Sequence, residues 1–222
     1  RYTANLRFWC ARHGSVSRLL RDGENDVSRI QKLEPAQWNE ELRSHFAADK
    51  ATPLELGTMR MFAHCPEIAK GIIALGAGIR ADRSLPERLI ELVRLRVAFH
   101  NQCRSCMAIR YSSAAQEVDE NLVCSLEKPR EAADLSDAER AAIEFADLFA
   151  TDHLAITDQR FSALREHFSE AQTMELMLHL ALYVGMGRLA ATLDMTEELP
   201  PAFQAPFGEQ VTPWAGEPIA VR

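Results

Sequence analysis

Three of the serines that stand three residues ahead of a glutamate or glutamine in this chain open stretches of apolar residues at helical spacing. Ser84-Leu-Pro-Glu87, Ser136-Asp-Ala-Glu139 and Ser169-Glu-Ala-Gln172 each have the form of a capping box. In that motif the serine oxygen takes a first-turn amide and the longer side chain returns to the serine's own amide. The first box should open a helix that buries Leu89, Leu92, Val93, Leu95, Val97 and Phe99 and closes near Asn101-Gln102. The second should carry Ile143, Phe145, Ala146, Leu148 and Phe149. The third leads into an apolar stretch from Met174 to Leu193, where Gly185 and Gly187 suit a kink or close packing. Thr157 caps a shorter helix through Phe161 and Leu164. Upstream, Trp38, Leu42 and Phe46 share one helical face, Pro53 starts a helix through Met59 and Phe62, and Pro66 starts another with Ile68, Ile72, Ile73 and Leu75. No segment alternates over six or more residues, so the expected fold is all-α, without a sheet.

Within the 222 residues, this helical domain is expected over 33–195. Residues 1–32 read as a flexible extension, and its first part, Arg1 to Arg21, holds five arginines and no acid, a bias shared with transit peptides. The first residue is Arg, which suggests a processed or truncated start. Residues 196–222 read as an irregular tail punctuated by Pro200, Pro201, Pro206, Pro213 and Pro218. Its Phe203, Phe207 and Trp214 either pack over a neighbouring surface or belong to a frayed end.

The net charge of −7 argues against a nucleic-acid partner, since phosphate binding needs a basic face. No apolar run is read as long enough to span a bilayer, so no membrane segment is expected. The five cysteines are an odd number and scattered, apart from Cys103 and Cys106, which is not a secreted disulfide framework. A reducing, cytoplasmic setting is expected.

Cys103 and Cys106 carry the chemistry. Two cysteines three apart on a helix's first turn share a face and can bridge. A helix expected to run from Cys103 to about Gln116 would present its positive end to them and favour a thiolate. On such a helix Arg110 would stand one turn above Cys106, on the same face. Glu91, twelve residues before Cys103 on the preceding helix, would return to the level of Cys106 or Arg110, as proton acceptor or as the partner of Arg110. The alternatives for the cysteines are an inert structural pair or half of a zinc site, which would need four ligands where only His100 is near in sequence. His100 can equally cap the C-terminus of its helix. Glu175 and His179, four apart, either face a cavity together or form an ordinary helical pair.

The stretch from Leu85-Pro-Glu-Arg-Leu-Ile-Glu91 through Cys103-Arg-Ser-Cys106-Met-Ala-Ile-Arg110 resembles the central motif of the AhpD-like / carboxymuconolactone decarboxylase family. That motif is a Glu, eleven intervening residues, then Cys-x-x-Cys-x-x-x-His. His64-Cys-Pro66 and the stretch from Leu135-Ser-Asp-Ala-Glu to Arg188-Leu-Ala-Ala are also similar, so the resemblance covers about residues 50 to 195. It implies a multi-helix all-α fold, homo-oligomers (trimers or hexamers), and thiol–disulfide chemistry tied to peroxide reduction. It implies no cofactor beyond the redox-active disulfide and no metal. By resemblance Cys106 is the activated thiol, Cys103 resolves it as a disulfide, and Glu91 belongs to a proton relay. The chain departs from the motif where Arg110 replaces the relay histidine and Ser105 replaces a histidine between the cysteines. Arginine does not shuttle protons near neutral pH, so a relay would run through Glu91, His100, Tyr111, His179 or water.

Three functions are therefore weighed. One is a thiol-dependent antioxidant enzyme, taking a small peroxide or a protein disulfide as substrate and a thiol reductant as donor. Another is a decarboxylase of a small carboxylated lactone, with Arg110, Arg188, His100 and His179 as an anion pocket. The last is an oligomeric redox sensor without turnover.

Overall fold

The computed structural model describes residues 28–111, 113–114, 116–206, 208–214 and 218–221, with side chains left undescribed at 220 and 221. The expected flexible extension thus lies outside the described residues up to residue 27. From residue 28 the chain is anchored: the Arg29 amide donates to Leu193 O, the Leu33 amide to Arg60 O, and Lys32 pairs with Glu197.

Ten α-helices make up nearly all of the described regular structure: α1 (Glu40–His45), α2 (Pro53–Leu56), α3 (Met59–Phe62), α4 (Pro66–Ala81), α5 (Glu87–Asn101), α6 (Arg104–Ala108), α7 (Glu120–Ser125), α8 (Asp137–Thr151), α9 (Asp158–Arg165) and α10 (Glu170–Leu193). Helix α5 is the axis. Ten of its residues are buried, on every side, because α8 and α10 flank it and α6 folds back on it. The main core joins its Leu89, Leu92, Val93, Leu95 and Val97 to Ile143 and Phe145 of α8 and to Leu176 and Leu180 of α10. A smaller core gathers Trp38, Leu42, Leu56 and Ala69 from the N-terminal helices. The helix expected from Pro53 through Phe62 is broken in two at Gly57, whose φ of +47° lies in the left-handed region.

Two of the three capping boxes form, at Ser136–Glu139 and Ser169–Gln172, and Thr157 caps α9 as expected. The box at Ser84–Glu87 does not. The Ser84 amide and hydroxyl both donate to Glu175 Oε2 of α10, at 2.9 and 2.6 Å, and Glu87 turns to Arg83. A carboxylate from another helix has displaced the local partner, and α5 starts behind Pro86 without a side-chain cap.

The expectation of no sheet is corrected. Ile109–Tyr111 (β1) pairs in parallel with Ile219–Val221 (β2), placing Arg110 opposite Ala220. The tail is not frayed in its described part. Leu199, Phe203 and Val211 join Ala98, Met107 and Ala108 in a third apolar cluster over the cysteine segment. Trp214 lies 5.5 Å from the Phe99 ring, and its carbonyl accepts from Cys124 Sγ.

Helix α10 corrects a second expectation. At 24 residues, with a mean hydropathy of 1.4 in its most apolar window, it is long and apolar enough to cross a membrane by length and composition. Its Leu176, Leu180, Ala190 and Leu193 are buried in the protein. At Gly187 the α5–α10 contact is so close that a Cβ would collide with the Asn101 amide, whose Nδ2 donates to Tyr183 O at 2.8 Å. Gly185 has open space around it.

Candidate functional site

Cys103 and Cys106 are joined as a disulfide with Cα atoms 5.2 Å apart. Gln102, which ends α5 in a left-handed conformation with φ of +51°, turns the chain so that Cys103 becomes the N-cap of α6. Cys103 is fully buried, whereas Cys106 is half-buried. The Cys106 amide donates to Cys103 Sγ at 3.3 Å, and Ser105 Oγ lies 3.6 Å from the same sulfur.

The cysteine helix is five residues long and stops at Ala108, far short of Gln116. The cause is visible at its carbonyls. Cys106 O and Met107 O would accept from the next helical turn, but Arg94 Nη1 takes the first at 2.6 Å and Arg110 Nη1 the second at 2.6 Å. The backbone leaves the helix at Ile109 and enters β1.

Arg110 therefore does not stand one turn above Cys106. Its five donors are all engaged: Nε and Nη2 with Glu120, Nη1 with Met107 O and Ile109 O, and Nη2 also with Pro213 O. Nor is Glu91 paired with Arg110. Its two oxygens accept from Arg94 Nε and Nη2 at 2.6 and 2.7 Å, both side chains being buried. Arg94 then spans to Cys106 O and Ile109 O and lies 5.0 Å from the Tyr111 ring centre. Burial works against the Arg94 cation, but Glu91 more than offsets it, and the guanidinium pKa lies above its ordinary value. Arg94 is the residue that reading the sequence missed. Its signal was an opposite charge at i+3 from Glu91.

The other candidates are held separately. His100 Nε2 bonds Asp147 Oδ1 at 2.6 Å, and Arg96 Nε bonds the same atom at 2.6 Å. Burial opposes the Asp147 charge, but His100 and Arg96 outweigh it and hold the carboxyl below its ordinary range. His179 Nδ1 is 3.2 Å from the Tyr183 hydroxyl, and its Nε2 is buried without a hydrogen-bond partner, 3.9 Å from Glu175. Burial pushes His179 down; Glu175 pulls it back up and Arg83 adds to the depression. Burial likewise raises the Tyr183 hydroxyl above its ordinary value. Arg188 donates to Asn101 Oδ1 and Ala150 O, not to an acid. Among the described residues no three His, Cys, Asp or Glu side chains converge as metal ligands.

Beside the disulfide, Ser105, Arg104 and Arg188 border a cavity of about 440 Å³ closed by Ala191 and Met195 of the α10 end and Glu209 of the tail. The tail is fastened to the residues flanking the couple. Gln102 exchanges two hydrogen bonds with the Val211 backbone, and Arg104 Nη2 donates to Pro206 O and Glu209 O. The site is thus a partly buried cysteine backed by a fully buried one, walled by apolar tail residues.

Residues 66–148 match the model of the carboxymuconolactone decarboxylase family. An uncharacterized peroxidase-related protein with an alkylhydroperoxidase AhpD core, from Ralstonia eutropha JMP134, has a similar structure: TM-score 0.61 at 21% identity, covering 87% of this chain and 100% of that one. A protein of unknown function from Agrobacterium tumefaciens, provisionally named as the antioxidant defence protein AhpD, superposes with a TM-score of 0.53 at 23% identity, over 63% of this chain and 95% of that one. No curated protein matches the chain.

Proposed function

We propose that this chain, whose residues 66–148 belong to the carboxymuconolactone decarboxylase family within an AhpD-like all-α fold, is a thiol-dependent oxidoreductase that reduces hydroperoxides through the Cys103–Cys106 couple. The observation that supports it is the asymmetric pair itself. Cys106 is only partly buried, and Cys103, bonded to it, is fully buried. In the reaction, the Cys106 thiolate attacks a peroxide oxygen, the O–O bond breaks, and an alcohol leaves. Cys103 then displaces water from the sulfenic acid and closes the disulfide, so that two thiols and one hydroperoxide give a disulfide, an alcohol and water. A dithiol donor returns the electrons.

The test treats reduced protein with one equivalent of an organic hydroperoxide, maps the disulfides, then follows turnover with a small dithiol. A Cys103–Cys106 bond formed in step with alcohol release, followed by repeated turnover, is expected. Disulfide formation without turnover would make the protein a sensor instead. Inert thiols would sink both readings. For the lactone reading the four residues do not form one anion pocket: Arg110, Arg188, His100 and His179 are each held by different partners.

We also propose that the protein works as a homo-oligomer, a trimer or hexamer by family resemblance. Helix α4 buries only Ala69 and leaves Ile68 and Leu75 exposed. Helix α10 exposes Met174, Leu178, Met186 and Leu189 along one stripe. Light scattering should give a multiple of the 24.9 kDa chain mass, reduced to one chain by Ile68→Glu combined with Leu178→Glu. A single-chain mass for the unaltered protein at micromolar concentration would refute it.

A further inference from the structure

We infer that Ser105 makes Cys103 the leaving thiolate of the couple, so that an electron donor attacks Cys106 and never Cys103. This rests on the oxidoreductase reading and adds to it a direction and a catalytic residue. In the disulfide neither sulfur carries a proton, so the Ser105 hydroxyl, 3.6 Å from Cys103 Sγ, is necessarily the donor in that contact. The Cys106 amide donates to the same sulfur at 3.3 Å. Among the described residues no hydrogen bond reaches Cys106 Sγ. Two donors aimed at one sulfur stabilise negative charge there, and the sulfur that holds charge better departs faster. Access agrees with electronics, since Cys103 is fully buried and Cys106 is not.

The features first expected to favour a thiolate at Cys106 are not in place. Its helix is one short turn and a half, and every Arg110 donor is occupied elsewhere. Ser105 also lines the 440 Å³ cavity, so its hydroxyl can exchange a proton with water there while touching a sulfur that water does not reach.

A donor thiolate attacks Cys106 Sγ, forming a mixed disulfide as the Cys103–Cys106 bond breaks. The electron pair of that bond goes to Cys103, which leaves as a thiolate under the Ser105 and Cys106 N–H donors and then takes a proton. The second thiol of a dithiol donor attacks the mixed disulfide at the donor's sulfur, closes the donor's own disulfide and releases the Cys106 thiolate.

The experiment titrates thiolate absorbance in Cys106→Ser and Cys103→Ser proteins, each with and without Ser105→Ala. Ser105→Ala should weaken Cys103 ionisation about tenfold, the scale of a hydrogen bond to a charged group, leave Cys106 within about twofold, and be rescued by Ser105→Thr. Cys103 indifferent to Ser105→Ala, or Cys106 shifted as much as Cys103, would overturn the inference. As neither readout involves peroxide or turnover, the inference and the peroxidase reading can fail separately.

Discussion

Glu91→Ala is expected to lower folding stability by about 3–5 kcal/mol, the scale for removing one partner of a buried ion pair. A domain of ordinary stability has about 5–15 kcal/mol in all, so the variant should be mostly folded only in cool, denaturant-free buffer. The cost comes from what remains. Arg94 is 7% exposed and always charged, and two of its donors point at the space where the carboxylate was. Urea unfolding of Glu91→Ala, Arg94→Met and the double variant separates this from loss of packing. The double variant should be more stable than Glu91→Ala, because it leaves no unpaired buried charge. A loss below about 1 kcal/mol for Glu91→Ala would show that water reaches Arg94 and that the pair is not buried in solution. Arg94→Met carries a second consequence: it frees Ile109 O and Cys106 O, the latter an acceptor whose capture helps end α6. Glu91 thus bears on the cysteine site through Arg94, by fixing the guanidinium that shapes the loop.

That route explains which parts of the protein could be read from its residues. Ser136 and Ser169 cap their helices because the partners, Glu139 and Gln172, lie within one turn and nothing else competes. Ser84 offers the same pattern, and Glu175 defeats it from 91 positions away. The Cys-x-x-Cys pair was legible, and so was its bonding distance, because three-residue spacing fixes both. The end of its helix was not. Local pattern allows Met107 to Arg110 to continue as helix. What stops them are side chains: Arg94 arriving from α5, and Arg110 curling back on Met107 O. The tail shows the same limit. Phe203, Val211 and Trp214 announce that it packs, but no spacing rule says that its backbone will answer Gln102, Arg104 and Arg110, the residues around the disulfide.

The two cysteine variants should both abolish multiple turnover with a hydroperoxide, but they should fail differently. Cys103→Ser keeps the partly buried cysteine and loses the fully buried one. It should consume one equivalent of peroxide and stop, with Cys106 as a sulfenic acid that a dimedone-type reagent labels. Cys106→Ser keeps only a sulfur with no exposed surface, so its peroxide consumption should drop to background. Their stabilities are compared as reduced proteins, so that the lost disulfide does not enter. Mass spectrometry of each variant after a single peroxide addition makes the comparison. Equal single-equivalent oxidation of both would mean that the burial of Cys103 opens in solution. Peroxide consumed at the unaltered rate by Cys106→Ser would place the reactive thiol at Cys103 and reverse the order of the two sulfurs in the oxidative half of the cycle. The asymmetry of the pair is therefore tested twice by independent chemistry: peroxide finds the less buried cysteine, and a thiol donor expels the sulfur that hydrogen bonds hold.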